Sequence, residues 1–249
     1  GNISVKSTEG NGRGFEKCYN KRCTKYVIKS NNKPLQVFKI KYNGSDFKMS
    51  MNSKSIAETI KERRSIRNLK KPENLTKEKI DEILKTALYT PSAFGMQSAR
   101  MIVLRGEDNK KLWNIAKEEV KKTLPAGQDF GPTEDKLNGF SNGYGTILFF
   151  EEQNTVKGMQ DNFSLYADNF PVWAEQANGM LQYAVWLLLY TEGLAASLQH
   201  YNPLIDSEVG KAWDVPSSWK LRAQMPFGTA DESVGERKFL PYEEVVKFY

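Results

Sequence analysis

The sequence predicts an α+β fold, and three observations lead to that prediction. Strand-like apolar runs, such as GTILFFEE at residues 145–152, mix irregularly with helical patterns, whereas a parallel α/β fold needs strict alternation. A long apolar helix is predicted over residues 170–192. The chain has 249 residues, enough for a real core in one large domain or two small ones.

Charge is distributed unevenly along the chain. Residues 1–50 contain 11 Lys and Arg against 3 Asp and Glu, and the other 199 residues contain 25 against 27. The net charge of +6 therefore reflects the first segment and not the body of the protein. Because the body has no basic excess, we predict no nucleic-acid partner.

Residues 1–48 are predicted to be a basic N-terminal extension. Two β-like runs, KYVIK and LQVFKIKY, are separated by a turn-like SNNKP. A tag, an overlong gene start and an accessory hairpin remain open as its origin. Its charge is interpreted as a solvated run or as a tether to an acidic surface. The body spans residues 49–249, with Met49 or Met51 as a natural start.

The body opens with two predicted helices. Ser55 and Glu58 have the spacing of a capping box, which begins a short helix. The second helix, over residues 77–89, has Thr76 as its N-cap and ends before Pro91. Strands at residues 100–106 and 145–152 follow, with a helix over 108–124 and a long loop or broken helix over 125–145 between them.

The predicted helix at residues 170–192 ends at Gly193, the expected left-handed cap position. Its second half is apolar on nearly every face, so we expect a partner subunit to cover part of it. Its longest apolar run, Met180 to Tyr190, is too short to span a bilayer, and no membrane partner is predicted. Strands at 194–201 and 221–228 and an amphipathic segment at 241–248 complete the chain.

The residue types present exclude several kinds of chemistry. The body has one histidine, His200, and no cysteine, so it cannot build a His/Cys metal centre or a disulfide framework. No G-x-S-x-G elbow and no correctly placed dinucleotide fingerprint occur. Any enzyme here is expected to borrow its reactive group from a cofactor. The polar N-terminus and the scarcity of cysteine favour the cytoplasm.

One basic cluster is a candidate anion site. The stretch ERRSIRNLKK, residues 62–71, contains five basic residues in ten positions. Cations at a helix C-terminus complement the helix dipole, which is one interpretation. The other is a phosphate clamp, because guanidinium forks bind phosphate oxygens in pairs and a serine hydroxyl adds a further donor. The candidate residues are Arg63, Arg64, Ser65 and Arg67.

Two further stretches have residue types suited to a flat ligand. In TPSAFGMQSAR, small residues accompany Ser92 and Gln97, and an amide offers both a donor and an acceptor to a uracil-like ring edge. An ordinary connecting loop is the alternative. In ASLQHYNPLID, a lone His200 is interpreted as a satisfied core side chain or as a catalytic base.

In this order, RRSIR, PSAFGMQS, the long helix leading into ASLQHYNPLID, MPFG and ERKFLP resemble the FMN-dependent nitroreductase family. The similarity runs from about Ser53 to Phe248 and is greatest to the short branch that includes bacterial copper-induced and fungal nitroreductases. Residues 1–48 have no counterpart in it.

The resemblance implies a three-layer α/β/α sandwich that forms an intertwined homodimer with two FMN molecules at its interface. It also implies ping-pong reduction of nitroaromatic or quinone acceptors by NADH or NADPH. No side chain acts as nucleophile or metal ligand, since the flavin carries the hydride. A flavin-binding storage or sensing module without turnover is the alternative.

The resemblance also implies roles for individual residues. Many members have an asparagine where this chain has Gly95, which puts one amide contact in question. Arg64 occupies a position that varies in type. The cofactor-binding set comprises Arg63, Arg64, Ser65 and Arg67 for the phosphate and ribityl chain, Arg237 and Lys238 for the phosphate, Ser92 and Gln97 from the second subunit, and Leu198, Gln199 and His200 near flavin N5.

Overall fold

The computed structural model describes residues 54–249 except residue 126, together with the backbone of four strands in the first 49 residues. The chain divides into two compact units, Gly1–Ser55 and Ile56–Tyr249.

The first unit contains a four-stranded antiparallel sheet in the order β1-β2-β3-β4. The two β-like runs of the sequence coincide with β2 and β3, which pair at Cys23 and Tyr42. The predicted turn at residues 30–34 and the possible start at residue 51 lie outside the described residues. The origin and role of this extension remain predictions. Its strands are β1 (Gly14–Asn20), β2 (Cys23–Lys29), β3 (Phe38–Tyr42) and β4 (Ser45–Met49).

The second unit is built on a five-stranded sheet in the order β5-β9-β7-β6, with β8 also paired to β9. Its ladders are antiparallel, which confirms the predicted α+β class. The apolar run at residues 145–152 forms the central strand, buried along its whole length. The strands are β5 (Leu69–Lys70), β6 (Ala99–Arg105), β7 (Gly145–Glu152), β8 (Ala195–Ala196) and β9 (Trp219–Ala230).

Helices pack on both faces of this sheet. The side chains of a strand point alternately to its two faces, and on β7 Ile147 and Phe149 enter one core while Leu148 and Phe150 enter the other. The three-layer arrangement is thereby confirmed. The helices are α1 (Ile56–Glu62), α2 (Lys77–Ala87), α3 (Glu107–Thr123), α4 (Gly131–Ser141), α5 (Gln153–Asn162), α6 (Phe170–Thr191), α7 (Asp206–Ala212) and α8 (Tyr242–Val245).

Several predicted boundaries agree with the structure. α1 starts directly after Ser55, and α2 starts after Thr76, whose hydroxyl accepts a hydrogen bond from the Lys79 amide at 3.3 Å. α6 ends at Thr191, and Gly193 has the positive φ of 76° expected after a helix.

Other predictions agree only in part or were wrong. The segment 125–145 contains the helix α4 after a break from α3, so the long loop was wrong and the broken helix agrees with the structure; Leu137 and Phe140 share the buried face of α4. α5 and α7 were not predicted. The strand predicted over 194–201 is only two residues long, β8, followed by an isolated bridge between Gln199 and Gln224.

The loop between α2 and β6 has an unusual backbone. Phe94, Gly95 and Gln97 have φ values of 53°, 62° and 47°, which is the left-handed region that few non-glycine residues adopt. The Ser92 hydroxyl accepts a hydrogen bond from the Gln97 amide at 3.0 Å, which closes the loop. Strained backbone of this kind clusters at functional sites.

We predict that Gly95→Asn keeps the stability of the parent within about 1 kcal/mol, because asparagine tolerates the left-handed region. A Cβ at this position would meet no atom within 4 Å, so only the backbone conformation matters. Gly95→Val should lose roughly 1–2 kcal/mol. Urea unfolding measures the free energy of unfolding of both variants, and an equal loss of stability in the two would contradict the prediction.

Glu152 forms the N-cap of α5. Its carboxylate accepts hydrogen bonds from the Asn154 amide at 3.1 Å and from the amide and hydroxyl of Thr155, each at 2.6 Å. Burial opposes ionisation of Glu152, but these bonds and one from Ser218 outweigh it and lower the pKa to about 2. Glu152 is therefore ionised in the folded protein at neutral pH.

We predict that Glu152→Gln destabilises the protein by about 1 kcal/mol at pH 7, as expected for loss of an N-cap. The ordinary pKa of a glutamate is 4.5. The carboxylate therefore contributes its full stability above pH 4.5 and loses it as pH falls toward 2. Urea unfolding of the parent and of Glu152→Gln should show that the difference in their free energies of unfolding shrinks as pH falls from 4.5 toward 2. A constant difference would contradict the prediction.

Candidate functional site

The arginine segment leaves α1 and runs along the edge of the sheet. Ser65 forms a parallel bridge with Ala196 of β8, and the Ile66 amide donates to the Ala196 carbonyl at 3.0 Å. This pairing places the segment beside the chain that continues from β8 into Leu198. The predicted phosphate residues and the predicted N5 residues are thus neighbours in the fold.

Two contacts fix the backbone of the same segment. The Glu232 carboxylate accepts hydrogen bonds from the amides of Arg67 and Asn68. On another side, Gly139 of α4 packs so closely that a Cβ there would lie 2.7 Å from the Arg67 carbonyl oxygen. A glycine is required at this position, and the segment is held in one conformation.

Arg63 stacks on the aromatic side chains of α6. Its guanidinium carbon lies 4.1 Å from the ring centre of Trp186 and 5.9 Å from that of Tyr183. The Arg63 Nε and the Trp186 Nε1 are both buried and lack a hydrogen-bond partner in the described part of the chain. Both atoms are N–H donors, so the stack offers two free donors to an acceptor.

The electrostatics of Arg63 also favour an anion. Burial, followed by the nearby positive charge of Arg237, lowers the pKa of Arg63. An arginine nevertheless stays protonated in proteins, so the structure holds two like charges near each other at some cost. A doubly negative phosphate would relieve that repulsion and accept from the free N–H groups. The site therefore fits the phosphate of FMN.

The other predicted phosphate residues differ in their exposure. Arg64, whose charge also acts on Arg63, and Arg237 are half-buried. Ser65, Arg67 and Lys238 are exposed to solvent.

Ser92 and Gln97 form a second group, in the left-handed loop. The Gln97 carbonyl accepts from an Arg100 guanidinium nitrogen at 2.7 Å. The loop borders a cavity of about 170 Å³ beside α6. Among the described residues, no hydrogen bond, ion pair or ring contact joins Ser92 or Gln97 to an arginine of the segment in the same chain. The cavity lining includes Pro91, Ser92, Gln97, Ser98, Ala177 and Leu181.

The segment from Leu198 to His200 is held by β9. The Gln199 amide donates to the Gln224 carbonyl at 2.7 Å, and the Gln224 amide donates back at 2.9 Å. The fully buried Gln224 side chain also accepts from the Tyr201 amide at 2.7 Å. His200 is exposed, so its interpretation as a satisfied core side chain was wrong.

An aromatic cluster extends from the left-handed loop. The Phe94 ring lies 5.1 Å from that of Phe163, 5.3 Å from that of Phe170 and 5.9 Å from that of Trp173, measured between ring centres. About half of Phe94 remains exposed, at 53%. Phe94 thus exposes apolar ring surface in the same loop as Gln97, which suits an aromatic ligand.

Sequence reasoning missed the residues that support the site from a distance. Trp186 and Tyr183 are three residues apart on α6 and so share one helix face, but their contact with Arg63 depends on the tertiary fold. Glu232 and Gly139 act through backbone contacts that no side-chain pattern encodes.

Two further properties concern the described residues only. Between residues 54 and 249, leaving out 126, no three His, Cys, Asp or Glu side chains are grouped to hold a metal ion. In that same range, no helix is both long and apolar enough to cross a membrane.

Comparisons with known proteins agree with the resemblance. The family model described as "Nitroreductase family" matches residues 60–229. Nitroreductase FRM2 of Saccharomyces cerevisiae is 30% identical over 185 residues, covering 73% of this chain and 91% of the yeast protein. HBN1 of the same yeast is 32% identical over 187 residues, with the same coverage of both chains.

Among solved structures, nitroreductase CinD from Lactococcus lactis in complex with nicotinic acid is 42% identical, with a TM-score of 0.72. The match covers 78% of this chain and all of CinD. CinD in complex with 4-nitrophenol matches with a TM-score of 0.70. The chain therefore belongs to the nitroreductase family of flavin-dependent oxidoreductases.

Proposed function

We propose that this protein is an FMN-dependent NAD(P)H oxidoreductase that reduces nitroaromatic or quinone-type acceptors by a ping-pong mechanism. NADH or NADPH is the electron donor, and the acceptor uses the same open slot after the oxidised donor leaves. The observation that carries the proposal is the half-buried Arg63 stacked on Trp186 near Arg237, with the Arg63 Nε and the Trp186 Nε1 buried and without a partner in the described part of the chain.

The side chains of the arginine segment and of the C-terminal region bind the cofactor in this proposal. Arg63 and Arg237 bind the phosphate, with Lys238 at its solvent side. Ser65 donates to the phosphate or to the ribityl hydroxyls. Arg67 would hold the phosphate and ribityl chain together with these residues, and its positive charge would favour the reduced, more anionic state of the ring. When bound, FMN supplies the hydride chemistry through its N5 atom.

The remaining predicted residues orient the reactants. The backbone from Leu198 to His200, which β9 holds rigidly, lies along the N5 edge. The Gln97 amide, together with Ser92, faces the uracil-like edge of a flavin. The apolar cluster around Phe94 excludes water from one side of the acceptor slot.

We further propose that the active form is a homodimer. α6 leaves apolar side chains exposed at Val172, Met180 and Tyr183, as the sequence predicts for a helix that a partner covers. Near the C-terminus, Phe239 and Phe248 are 80% and 85% exposed. Apolar surface of this extent is typical of subunit interfaces. A second subunit would bring Ser92 and Gln97 to the flavin held by Arg63.

An aromatic acceptor fits the exposed face of Phe94. CinD, 42% identical to this chain, has been solved with 4-nitrophenol and with nicotinic acid, two small aromatic compounds. We propose the same chemical class for this protein. Steady-state assays with NADH and NADPH against a quinone and a nitroaromatic test this. A flavin that bleaches with NAD(P)H but transfers no electrons onward would favour a storage or sensing module instead.

Removal of either arginine of the clamp should weaken FMN binding. We predict that Arg63→Ala and Arg67→Ala each raise the Kd for FMN by roughly ten- to a hundred-fold, because each loses a charge-assisted hydrogen bond. Fluorescence quenching of FMN, titrated at fixed ionic strength, measures the Kd. Full flavin occupancy in both purified variants would contradict the clamp.

Arg105→Ala is the matched control for this prediction. It removes the same charge from β6, the strand at the far end of the sheet order from β5, where Arg105 donates a hydrogen bond to the Tyr144 hydroxyl at 3.2 Å. Its Kd should stay within about two-fold of the parent, since exposed charges farther away than a Debye length are screened. A rise in the Kd of Arg105→Ala equal to that of the Arg63 and Arg67 variants would indicate a general charge effect.

The aromatic support of Arg63 gives a separate prediction. Trp186→Leu removes the ring and its N–H, and a cation–π contact contributes roughly 0.5–2 kcal/mol, so the Kd for FMN should rise about three- to thirty-fold. Trp186→Phe keeps a ring face and loses only the N–H, so its Kd should be intermediate. Circular dichroism checks the fold, and FMN titration gives the order of the Kd values of the parent, Trp186→Phe and Trp186→Leu. Identical Kd values for both variants would contradict it.

A further inference from the structure

Arg100 follows the left-handed loop on β6, and the mechanism proposed above does not use it. Its side chain is half-buried and lines the same cavity as Ser92 and Gln97. Within the described part of the chain it forms no ion pair. Its guanidinium carbon lies 6.0 Å from the ring centre of Trp219. A charged group partly withdrawn from water needs hydrogen-bond partners, and Arg100 finds them in the backbone.

One guanidinium nitrogen of Arg100 bonds two backbone carbonyls. Its Nη1 donates to the Gln97 carbonyl at 2.7 Å and to the Ala99 carbonyl at 2.9 Å. Ala99 is the first residue of β6, which pairs with β7 at every position. Gln97 lies before the strand, in the loop. The guanidinium therefore joins the end of the loop to the edge of the sheet.

Side chains hold the backbone of Gln97 on both sides of its Cα. Its amide donates to the Ser92 hydroxyl at 3.0 Å, and its carbonyl accepts from Arg100. Fixing both groups fixes both backbone torsion angles of this residue. Gln97 has a φ of 47°, and a non-glycine residue keeps such a conformation only where its surroundings enforce it.

The neighbours of Gln97 are buried, while Gln97 itself is exposed. Met96 and Ser98 are 8% and 2% exposed, and Met96 packs in one core cluster with Phe170. The Gln97 side chain thus leaves the protein from a fixed Cα between two anchored residues. A long amide side chain presents its donor and acceptor at a defined place only when its base is held by supporting contacts.

We propose that Arg100 is the positioning residue for Gln97: its guanidinium holds the Gln97 carbonyl and keeps the left-handed conformation in which the side-chain amide faces a ligand. A direct action of the positive charge on that ligand is the competing role. The hold on the loop follows from the contacts above, whereas its effect on the cofactor rests on the proposed function. The experiment therefore has one arm for each.

The first arm measures hydrogen exchange of the Gln97 amide by nuclear magnetic resonance, in the full chain without cofactor. Arg100→Met removes the guanidinium and keeps an apolar stem. Exchange should accelerate roughly ten-fold, because the loss of one hydrogen bond makes local opening easier. Ser92→Ala, which removes the acceptor of this amide, gives the upper reference. An exchange rate in Arg100→Met within about two-fold of the parent would overturn the proposal.

Arg105→Met is the matched control. Arg105 has the same charge at the other end of β6, where it donates to the Tyr144 hydroxyl at 3.2 Å. The Gln97 amide of this variant should exchange at the rate of the parent, and equal acceleration in both variants would overturn the proposal. Circular dichroism checks the fold. If Arg100→Met does not fold, Arg100→Gln takes its place with the same expected result, since its polar side chain is too short to reach the Gln97 carbonyl.

The second arm measures the Kd for FMN in Arg100→Met, in Gln97→Ala and in the double variant. Each single variant should raise the Kd about three- to ten-fold. The double variant should bind no more weakly than Gln97→Ala, because Arg100 acts through Gln97. Losses that multiply in the double variant would show that the charge acts directly on the ligand, and would overturn the positioning role.

The two arms separate this proposal from the proposed function. If the parent binds no FMN, the proposed function fails, and hydrogen exchange still decides whether Arg100 holds the loop. An unchanged Kd in either single variant, in a parent that binds FMN, would overturn the role of Arg100 for the cofactor.

Discussion

A guanidinium packed on an indole ring is the interaction on which the candidate site depends. In the described chain, Arg63 and Trp186 both keep a buried N–H without a partner, and a second positive group, Arg237, lies nearby. Burying donors and repelling charges costs free energy, and in the proposed function the phosphate of the cofactor is the anion that completes this arrangement. The surrounding contacts from Gly139 and Glu232 hold the segment in place for that anion.

The left-handed loop over residues 92–97 also has an arrangement that costs free energy. Three residues between Phe94 and Gln97 adopt left-handed backbone, and this strain persists because Ser92 closes the loop and an aromatic cluster packs on Phe94. A loop with lower strain would be easier to form. The strained loop therefore suits a role in which the position of the Gln97 amide matters more than local stability.

The sequence predicts most of the second unit, because its signals are local. The apolar run at 145–152 and the cap at Thr76 depend on neighbouring residues, and the structure agrees with both. The R-x-S-x-R motif likewise identifies the arginine segment as a candidate anion site from neighbouring residues alone. The partner of Arg63 lies more than a hundred residues along the chain, where only the tertiary fold can place it. α4 was predicted only as a long loop or broken helix because its glycines weaken the helical pattern, although one of them, Gly139, is needed for close packing on the Arg67 backbone.

α6 supports three separate contacts along its length: Trp173 packs in the aromatic cluster, Asn178 donates a hydrogen bond to Glu151 of β7, and Trp186 stacks under Arg63. An α-helix advances 1.5 Å and turns 100° per residue, so one rigid rod sets the spacing and angular phase of all three. A one-residue insertion or deletion within it would rotate everything downstream by about 100° and break their register together. Length changes in this family branch are accordingly expected in the connecting loops and at the chain ends.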